Sequence, residues 1–485
     1  LQPVLSRLRP LSVSPVAPLF RRTLGLLGLT QDWDLETELV VVGGGGCGLM
    51  AAYAAARRGV QVILIEKNSR LSCNTEIASG SIPAAGTRFQ RAAGIEGTAE
   101  QMAGDIMRKN HGQADPGIVL ALCRKSREVI DLIVDEVGLP LILNTDAGRA
   151  GFTFLRLHNP PGRTGGPLIR ALHDAFARFP NATFADRTPG AGLVADASGA
   201  VTGILAGADG TERIGAKKVI LASDGFGANA EMLKRYIPEM AGVEYIGAQG
   251  NTGDGIRWGM DLGAATAHMA GYQGHGYLCA GYGTRLSPEI PFLGGLIVNV
   301  DGERFDREDQ GYSEFARVVL AQPRGVALEI FDRRIHDILA PNDHFQATVA
   351  AGALRSAATI EELAAAFRIE PARLRATFDA FNANAREGRD RFGRENFGAP
   401  LAPPFYGAMI TGALAHTQGG LKVDVHARVL RPDGSVIPNL YAGGGTAAGI
   451  SGDGPDGYLS GNGLLSALGL GLIAGEHAAA AIRGT

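Results

Sequence analysis

Residues 38–48 read ELVVVGGGGCG, and residues 62–67 read VILIEK. The first apolar run, the glycine-rich turn and the second apolar run ending in Glu66 form the pattern of a strand, a tight turn, a helix and a second strand. The pattern predicts an α/β domain that binds a dinucleotide. The alternative is a turn that packs a helix on a strand and binds no ligand.

Three glycines and one acid carry the dinucleotide interpretation. Gly43 permits the tight turn, Gly45 lets the backbone approach a pyrophosphate, and Gly48 lets the helix pack on the strand. The N-terminus of the helix then offers free N–H groups and a positive dipole end to the phosphates. Glu66 stands where a carboxylate accepts hydrogen bonds from ribose hydroxyls.

A second glycine-rich segment lies near the other end of the chain. Residues 439–445 read NLYAGGG, and residues 457–463 read GYLSGNG. Together with the first segment they indicate a flavoenzyme.

Composition limits the class of protein. The chain has 485 residues, 69 glycines and a net charge of -3, which favours two domains and argues against a nucleic-acid partner. Its four cysteines lack metal-like spacing and no Cys-x-x-Cys-His is present, so we expect neither a metal site nor attached haem. We also expect no transmembrane segment and a cytoplasmic location.

The first 33 residues are unlike the rest of the chain. They carry four arginines and four prolines, with no acid before Asp32. A targeting remnant, a basic surface-binding arm, an inert leader and an extension that lies on the body of the protein all fit this composition. We favour the extension.

Periodicity outlines the remaining organisation. Helix-like and strand-like segments alternate from residue 38 to about residue 230, with a β-meander over 191–218. Residues 359–383 are predicted to form a helix with Thr359 as its N-cap. Strands are predicted over 421–425 and 436–441, and an apolar helix over 463–482.

Several motifs in the same order resemble the fumarate reductase/succinate dehydrogenase flavoprotein family. Besides the two glycine segments, the resemblance is carried by residues 73–75, 79–80, 222–229, 252–255, 298–305 and 416–420. It implies α/β class: a glutathione-reductase-type, Rossmann-like FAD-binding domain with an inserted α+β capping domain. The implied boundaries are an extension at 1–33, FAD-binding parts at 34–268 and 408–485, and a capping domain at 269–407.

The family implies bound FAD. Its covalent members attach the flavin to a histidine, whereas residues 72–75 here read SCNT, so we expect a non-covalent cofactor. The resemblance and the glycine motif together assign these residues to the cofactor: Gly43, Gly45, Gly46, Cys47, Gly48, Glu66, Lys67, Asn74, Thr75, Ser79, Gly80, Val194, Ser223, Asp254, Gly444, Asn462, Gly463 and Leu464.

The substrate residues depart from the dicarboxylate enzymes of this family. Those enzymes clamp carboxylates with arginines and a histidine, but the position of one substrate arginine falls on Tyr458. The proton-donor arginine of the capping domain is matched to His336, next to two arginines. His275 and His416 are kept as candidate substrate residues, and a structural role for His416 beside the flavin is the alternative. A fumarate-like substrate is therefore not expected.

The replacement resembles 3-ketosteroid Δ4-(5α)-dehydrogenases, which share the Gly-Tyr-x-Ser-Gly motif. Tyr458 and Ser460 lie in that motif, and Tyr312 matches a second active-site tyrosine. Tyr458 is expected to act as the base, helped by a hydrogen bond from Ser460 or by relay through Tyr312. The alternatives are that Tyr458 is a buried structural tyrosine, that Ser460 is a turn residue, and that Tyr312 is a surface-loop tyrosine.

These residues predict an FAD-dependent dehydrogenase that introduces a C=C bond beside the ketone of a small apolar substrate, a 3-oxosteroid, with an external electron acceptor. The alternative is an FAD-dependent ene-reductase of the fumarate-reductase type that acts on an enone or enoate. A third class is an electron-transfer flavoprotein without its own chemistry.

Overall fold

The computed structural model describes residues 32–68, 72–146 and 148–484. The expected N-terminal extension therefore lies almost entirely outside the described residues. The strands, in chain order, are β1 (Leu35–Val42), β2 (Val62–Ile65), β3 (Ile82–Pro83), β4 (Ile142–Leu143), β5 (Leu157–Asn159), β6 (Ala182–Ala185), β7 (Gly190–Ala195), β8 (Val201–Ala206), β9 (Glu212–Leu221), β10 (Thr266–Ala267), β11 (Tyr272–Cys279), β12 (Leu296–Asn299), β13 (Val326–Asp332), β14 (Arg355–Ala357), β15 (Phe405–Thr417), β16 (Gly420–Leu421), β17 (Arg428–Leu430) and β18 (Val436–Ala442).

The helices connect these strands and cover their faces. In chain order they are α1 (Gly46–Ala56), α2 (Asn74–Ile77), α3 (Arg88–Ala92), α4 (Ala99–Lys109), α5 (Pro116–Leu132), α6 (Gly166–Phe176), α7 (Ala230–Tyr236), α8 (Asp254–Asp261), α9 (Tyr312–Leu320), α10 (Arg333–Leu339), α11 (Asp343–Ala350), α12 (Ile360–Ala366), α13 (Pro371–Glu387) and α14 (Asn462–Arg483).

The largest sheet contains the glycine motif. Strands β18, β9, β1, β2 and β6 follow one another in parallel, with Val40 paired to Ile63 on one side and to Val219 on the other. Parallel strands are buried on both faces, and both short apolar runs of the motif are buried accordingly. The predicted meander is present as β7, β8 and β9. All carboxyl ends of the parallel strands meet at one edge, where a ligand site is expected.

The C-terminal helix α14 packs on α1 beside this sheet. It begins at Asn462, one residue before the predicted start. Among the described residues it is the one helix long and apolar enough to cross a membrane, contrary to the expectation that no run would qualify. Of the residues in its most apolar 18-residue stretch, 61% are buried inside the protein, as in a core helix.

A second hydrophobic cluster lies around the antiparallel sheet β11–β15–β13–β12, and its buried members fall between Tyr277 and Ile410. The single helix predicted over 359–383 is two helices, α12 and α13. Thr359 caps α12 as predicted, in a capping box with Glu362. The break follows because Arg368 has a φ of +58° and Pro371 starts α13, where its missing N–H costs nothing.

Glu329 of β13 is fully buried, and neither carboxylate oxygen has a hydrogen-bond partner. Burial and nearby Glu308 raise its pKa well above the usual value. The folded pKa therefore exceeds the unfolded one, so Glu329 destabilises the fold increasingly as the pH rises above about 4.3.

We predict that Glu329→Met raises the free energy of unfolding by about 1–3 kcal/mol near neutral pH, and by less in acid. Urea titrations near neutral pH and in acid measure the free energy of unfolding, and Glu303→Met, at an exposed position, is the control. An equal gain in unfolding free energy at the two pH values would contradict the prediction.

Candidate active site

A cavity of about 270 Å³ opens at the carboxyl edge of the parallel strands. One wall is formed by the glycine turn and the C-terminal glycine segment, and the other by residues of β11, α9 and α11. Both hydrophobic clusters therefore contribute to the cavity.

The glycine turn has the geometry that the sequence predicts. Gly43 has a φ of +108°, and a Cβ there would lie 2.3 Å from the Ala222 carbonyl oxygen. A Cβ on Gly48 would lie 1.8 Å from the Gly43 carbonyl oxygen. Helix α1 has no N-cap side-chain hydrogen bond and no acid in its first turn, so its N-terminus suits an anionic pyrophosphate.

Glu66 lies at the end of β2 on the cavity wall. Its Oε2 accepts the Gly44 N–H at 2.7 Å, and its Oε1 accepts the Asn68 N–H at 2.8 Å. Each carboxylate oxygen can accept a further bond. Lys67 is paired with Asp254 at 2.7 Å on the same part of the wall, and both line the cavity.

We predict that Glu66→Ala raises the Kd for FAD by roughly tenfold to a hundredfold, because one charged acceptor for the ribose hydroxyls is lost. The overall fold should persist, since the strand pairing of β2 does not depend on this side chain. Titration of apoprotein with FAD, checked by circular dichroism, measures the effect. An unchanged Kd would remove Glu66 from the ribose site.

Most of the expected cofactor residues meet at this cavity. Its wall includes Gly43, Gly45, Gly46, Cys47, Glu66, Lys67, Asn74, Thr75, Ser79, Ser223, Asp254, Gly444, Gly463 and Leu464.

Four of the expected cofactor residues do not form part of the cavity wall. Gly48 serves the close approach of α1 to the turn. The Asn462 side chain is buried and donates to Ser451 Oγ at 3.1 Å, at the start of α14. Both residues therefore support the backbone next to the cavity without forming part of its wall.

The other two are Gly80 and Val194. Gly80 has a φ of +67° and lies against the Thr164 carbonyl, so its role is in the backbone. Val194 is paired with Gly203 inside the meander, and Gly190 at the start of the same strand lines the cavity instead. Only the end of strand β7 reaches the edge of the sheet where the cavity lies. Sequence similarity did not indicate that Gly190, and not Val194, is the residue at that end.

We predict that the flavin is released from the protein by acid. Cys73 takes the place of the attaching histidine and lies on the cavity wall. Burial raises the pKa of its thiol to about 12, so it is not a nucleophile at neutral pH. Acid precipitation followed by absorbance of the supernatant checks this, and yellow colour retained in the pellet would contradict it.

Tyr312 and Tyr458 lie together in the cavity, with ring centroids 6.0 Å apart at an interplanar angle of 80°. Tyr312 begins α9, so it belongs to the second hydrophobic cluster. The Tyr458 hydroxyl accepts the Gly463 N–H at 3.3 Å. The Tyr312 hydroxyl also accepts from Gln273 Nε2 at 3.2 Å.

Ser460 lines the cavity and lowers the pKa of Tyr312, whereas the sequence interpretation gave it the option of supporting Tyr458 directly. Burial raises the pKa of Tyr312, and the bonds from Ser460 and Tyr458 offset part of this effect. Burial also raises the pKa of Tyr458, and a charge on Tyr312 would raise it further. Both tyrosines are therefore neutral phenols at physiological pH, and Tyr312 has the better-stabilised phenolate.

Of the three candidate histidines, His275 and His416 line the cavity. His275 Nδ1 accepts the Tyr277 N–H at 3.3 Å, so Nε2 carries the proton. Burial, with Arg285 and His344 nearby, lowers the pKa of His275 to about 3. Burial likewise lowers the pKa of His416, whose Nδ1 is bonded to Gln418 at 2.9 Å.

His336 lies elsewhere, which corrects its assignment to substrate. Its ring is stacked on Tyr406 with centroids 4.5 Å apart, and it is not part of the cavity wall. It lies in α10, which follows β13, and its ring also contacts Phe345, a residue of the cavity wall, with centroids 5.3 Å apart.

Sequence reasoning missed several polar and charged residues of the wall: Asn144, Arg149, Arg163, Arg285, Glu289 and His344. Glu289 is buried and forms ion pairs with Arg149 and Arg163. These residues follow no motif, because segments far apart in the chain bring them to the cavity: His344 lies in α11 and the others lie outside regular helices and strands.

The fold and the comparisons with known proteins together define an FAD-dependent oxidoreductase that acts on CH–CH groups. A family model described as "FAD binding domain" matches residues 38–464. A fumarate reductase (cytochrome) of Shewanella frigidimarina is 30% identical over 449 residues, which cover 91% of this chain and 77% of that protein. The chain therefore belongs to the FAD-binding flavoprotein family of the fumarate reductases.

Two further relatives differ in their substrates. A urocanate reductase of Eggerthella lenta is 30% identical over 475 residues, 93% of this chain and 75% of that protein. The structure of 3-ketosteroid-Δ4-(5α)-dehydrogenase from Rhodococcus jostii RHA1 superposes with a TM-score of 0.73 at 26% identity, and covers 93% of this chain and 98% of that one. Both the reductase and the steroid resemblances predicted from the motifs are thus confirmed.

Proposed function

We propose that this protein is an FAD-dependent ene-reductase, which reduces the C=C bond of an α,β-unsaturated carbonyl compound. The observation that carries the proposal is the pair of tyrosines on the cavity wall, of which Tyr458 is buried and Tyr312 is partly buried. Burial raises the pKa of both phenols, so each keeps its proton at neutral pH and can act as an acid, and the relatives include a fumarate reductase and a urocanate reductase. The enone or enoate alternative is therefore favoured over the dehydrogenase interpretation of the motif.

The hydrogen-bond pattern selects the proton donor. The oxygen of Tyr312 accepts from Gln273 Nε2 at 3.2 Å, and Ser460 and Tyr458 on the same wall lower the pKa of Tyr312, which favours Tyr312 over Tyr458 as the group that gives up a proton. The same donors stabilise the phenolate left behind after the proton has moved to the substrate α-carbon. Tyr312 is thus the acid and Tyr458 orients it. The sequence analysis expected Tyr458 to be the group that exchanges the proton with the substrate.

FAD, when bound, supplies the hydride. The residues of the chain do the rest: His275 lines the cavity and carries its proton on Nε2, from where it can polarise the substrate carbonyl. The glycine turn and Glu66 hold the dinucleotide, and the two tyrosines exclude water from the reacting carbon.

A second candidate is 3-oxosteroid dehydrogenation, the main expectation from the sequence. It is favoured by the Tyr312–Tyr458–Ser460 cluster and by the similarity to the Rhodococcus enzyme. In that direction Tyr312 would have to accept the proton, aided by Ser460 and Tyr458, which lower its pKa.

The proposal also covers the domain boundaries, the electron carrier and the location of the protein. Residues 34–268 and 408–485 form a glutathione-reductase-type cofactor domain, and residues 269–407 form the capping domain. An external electron carrier exchanges electrons with the flavin in a cytoplasmic setting. The separate cluster around β11, β13 and β15 supports the assignment of a capping unit.

Anaerobic flavin spectroscopy tests the proposal. Reduced holoenzyme is mixed with cyclohexenone, cinnamate, fumarate or a 3-oxo-4-ene steroid, and oxidised holoenzyme with a saturated 3-oxosteroid. We expect an enone or enoate to reoxidise the flavin. Bleaching by the saturated steroid, with no reoxidation by any unsaturated compound, would reject the ene-reductase in favour of the dehydrogenase.

A further inference from the structure

The C-terminal end of helix α4 contacts both segments that carry the cavity tyrosines. Lys109 is the last residue of this helix, and its Nζ is paired with Glu314 Oε1 at 2.5 Å, although the two residues are 205 positions apart. Asn110 follows directly and is buried, and its Nδ2 donates to the Ile450 carbonyl oxygen at 2.9 Å. Lys109 and Asn110 both lie outside the cavity wall.

The ion pair of Lys109 acts on the start of helix α9. Tyr312 is the first residue of that helix, and Gly311 precedes it. Glu314 Oε1 accepts the Gly311 N–H at 2.9 Å. The oxygen that binds the ammonium therefore also holds the backbone next to Tyr312. The position of the Tyr312 ring depends on where Lys109 holds this carboxylate.

Loss of this ion pair is more costly than loss of an exposed one, because both side chains are largely shielded from water. The Lys109 side chain is 20% exposed and that of Glu314 is 11% exposed. Glu314 Oε2 is buried and has no hydrogen-bond partner among the described residues, so Lys109 and the Gly311 N–H offset the burial of this carboxylate. Without the ammonium, a buried anion has to move, be hydrated or take up a proton, and each of these changes disturbs the first turn of α9.

The same end of α4 supports the segment that contains Tyr458. The Asn110 Cα lies 2.9 Å from the place that a Cβ on Gly457 would take, so the chain just before Tyr458 packs directly on α4. Helix α4 is itself firmly held, since buried Asp105 in its middle accepts the Thr153 N–H at 2.9 Å. One helix end therefore supports both tyrosines from outside the cavity.

We infer that Lys109 is a positioning residue for proton transfer, because it sets the place of Tyr312 through Glu314. Its neighbour Asn110 sets the place of the segment that contains Tyr458, so one helix end fixes the distance between the two phenols. This inference rests on the proposed function and adds to it a residue outside the cavity wall.

Stopped-flow reoxidation of the reduced flavin tests the inference, with whichever of cyclohexenone, cinnamate and fumarate oxidises the unmodified enzyme. Lys109→Met removes the ammonium and keeps most of the apolar stem. We expect it to slow reoxidation roughly 10- to 100-fold, as a small misplacement of a reacting group does, while FAD content and substrate Kd stay unchanged. Lys109→Arg, which keeps the charge, should retain most of the rate.

A double-mutant cycle separates positioning from a general loss of stability. Because Lys109 acts through Tyr312, Lys109→Met should change the rate less than about threefold in the Tyr312→Phe background. Equal slowing in both backgrounds overturns the inference, and so does an unchanged rate in Lys109→Met alone.

Arg317→Gln is the matched control. Arg317 of α9 is paired with Asp456 at 2.6 Å and so joins α9 to the segment that contains Tyr458, but the two side chains are 42% and 52% exposed. An exposed pair contributes little, so this variant should react at the unmodified rate. A loss equal to that of Lys109→Met would overturn the specific role of Lys109.

Amide hydrogen exchange of the oxidised holoenzyme gives a second measurement, made without substrate. In Lys109→Met, peptides covering residues 311–316 should exchange about tenfold faster, because the Gly311 N–H loses a fixed acceptor, and Lys109→Arg should restore the protection. Unchanged exchange overturns the inference. If Lys109→Met yields no holoenzyme, Glu314→Gln, which keeps an acceptor for Gly311 but removes the charge, takes its place in the cycle. The proposed function fails separately, when no unsaturated compound reoxidises the reduced flavin.

Discussion

Tyr312→Phe lowers enone or enoate reduction by about 10²–10⁴-fold, the usual contribution of a positioned general acid. The substitution removes one hydroxyl and keeps the ring, which packs edge-on against Tyr458. FAD content and substrate Kd should stay close to those of the unmodified enzyme. Stopped-flow reoxidation of the reduced flavin measures the chemical step directly, separate from binding.

Two variants make this result interpretable. Tyr282→Phe, on an exposed tyrosine, should have no effect. Tyr458→Phe should give a smaller loss, because it removes one of the donors to Tyr312 but leaves the acid in place. A loss below about tenfold for Tyr312→Phe, together with a larger loss for Tyr458→Phe, would return the leading role to Tyr458.

Gly48→Ala prevents the formation of FAD-loaded protein. A Cβ there would lie 1.8 Å from the Gly43 carbonyl oxygen, in backbone that cannot move without opening the turn. Since a Cβ on Gly43 would itself lie 2.3 Å from the Ala222 carbonyl oxygen, the turn is closely packed on its other side and no compensating shift is available. We expect insoluble or colourless protein, measured by the ratio of flavin to protein absorbance after purification.

Gly104→Ala is the control for this substitution. Gly104 lies inside α4, and no atom lies within 4 Å of the place that its Cβ would take, so alanine fits and should stabilise the helix by about 1 kcal/mol. Normal FAD loading in Gly48→Ala would show that the turn is not tight and would weaken the dinucleotide assignment.

The sequence predicts those parts of the fold that depend on local rules. The turn at Gly43 and the acid at Glu66 follow from strand and glycine spacing, and both lie where expected. The helix break near Pro371 was missed because apolar spacing continues across it. A proline at a first helical position was the available sign.

The site was predictable only where a motif marked it. Tyr458 and Ser460 were found through a short motif and do meet Tyr312 in the cavity. The alignment around His336 is blurred by the neighbouring Arg333 and Arg334, and only the structure shows that its ring is stacked on Tyr406 outside the cavity wall. Arg285 had no signal, since a loop brings it to the wall.

The two tyrosines of the cavity come from different parts of the chain. Tyr312 packs against the hydrophobic cluster around β11 and β15, whereas Tyr458 and Ser460 belong to the segment that precedes α14. Hydrogen bonds tolerate only a few tenths of an ångström before they weaken. The proposed proton transfer therefore depends on how accurately these two parts of the fold meet, so we expect substitutions far from the cavity in either part to slow it while FAD binding stays unchanged.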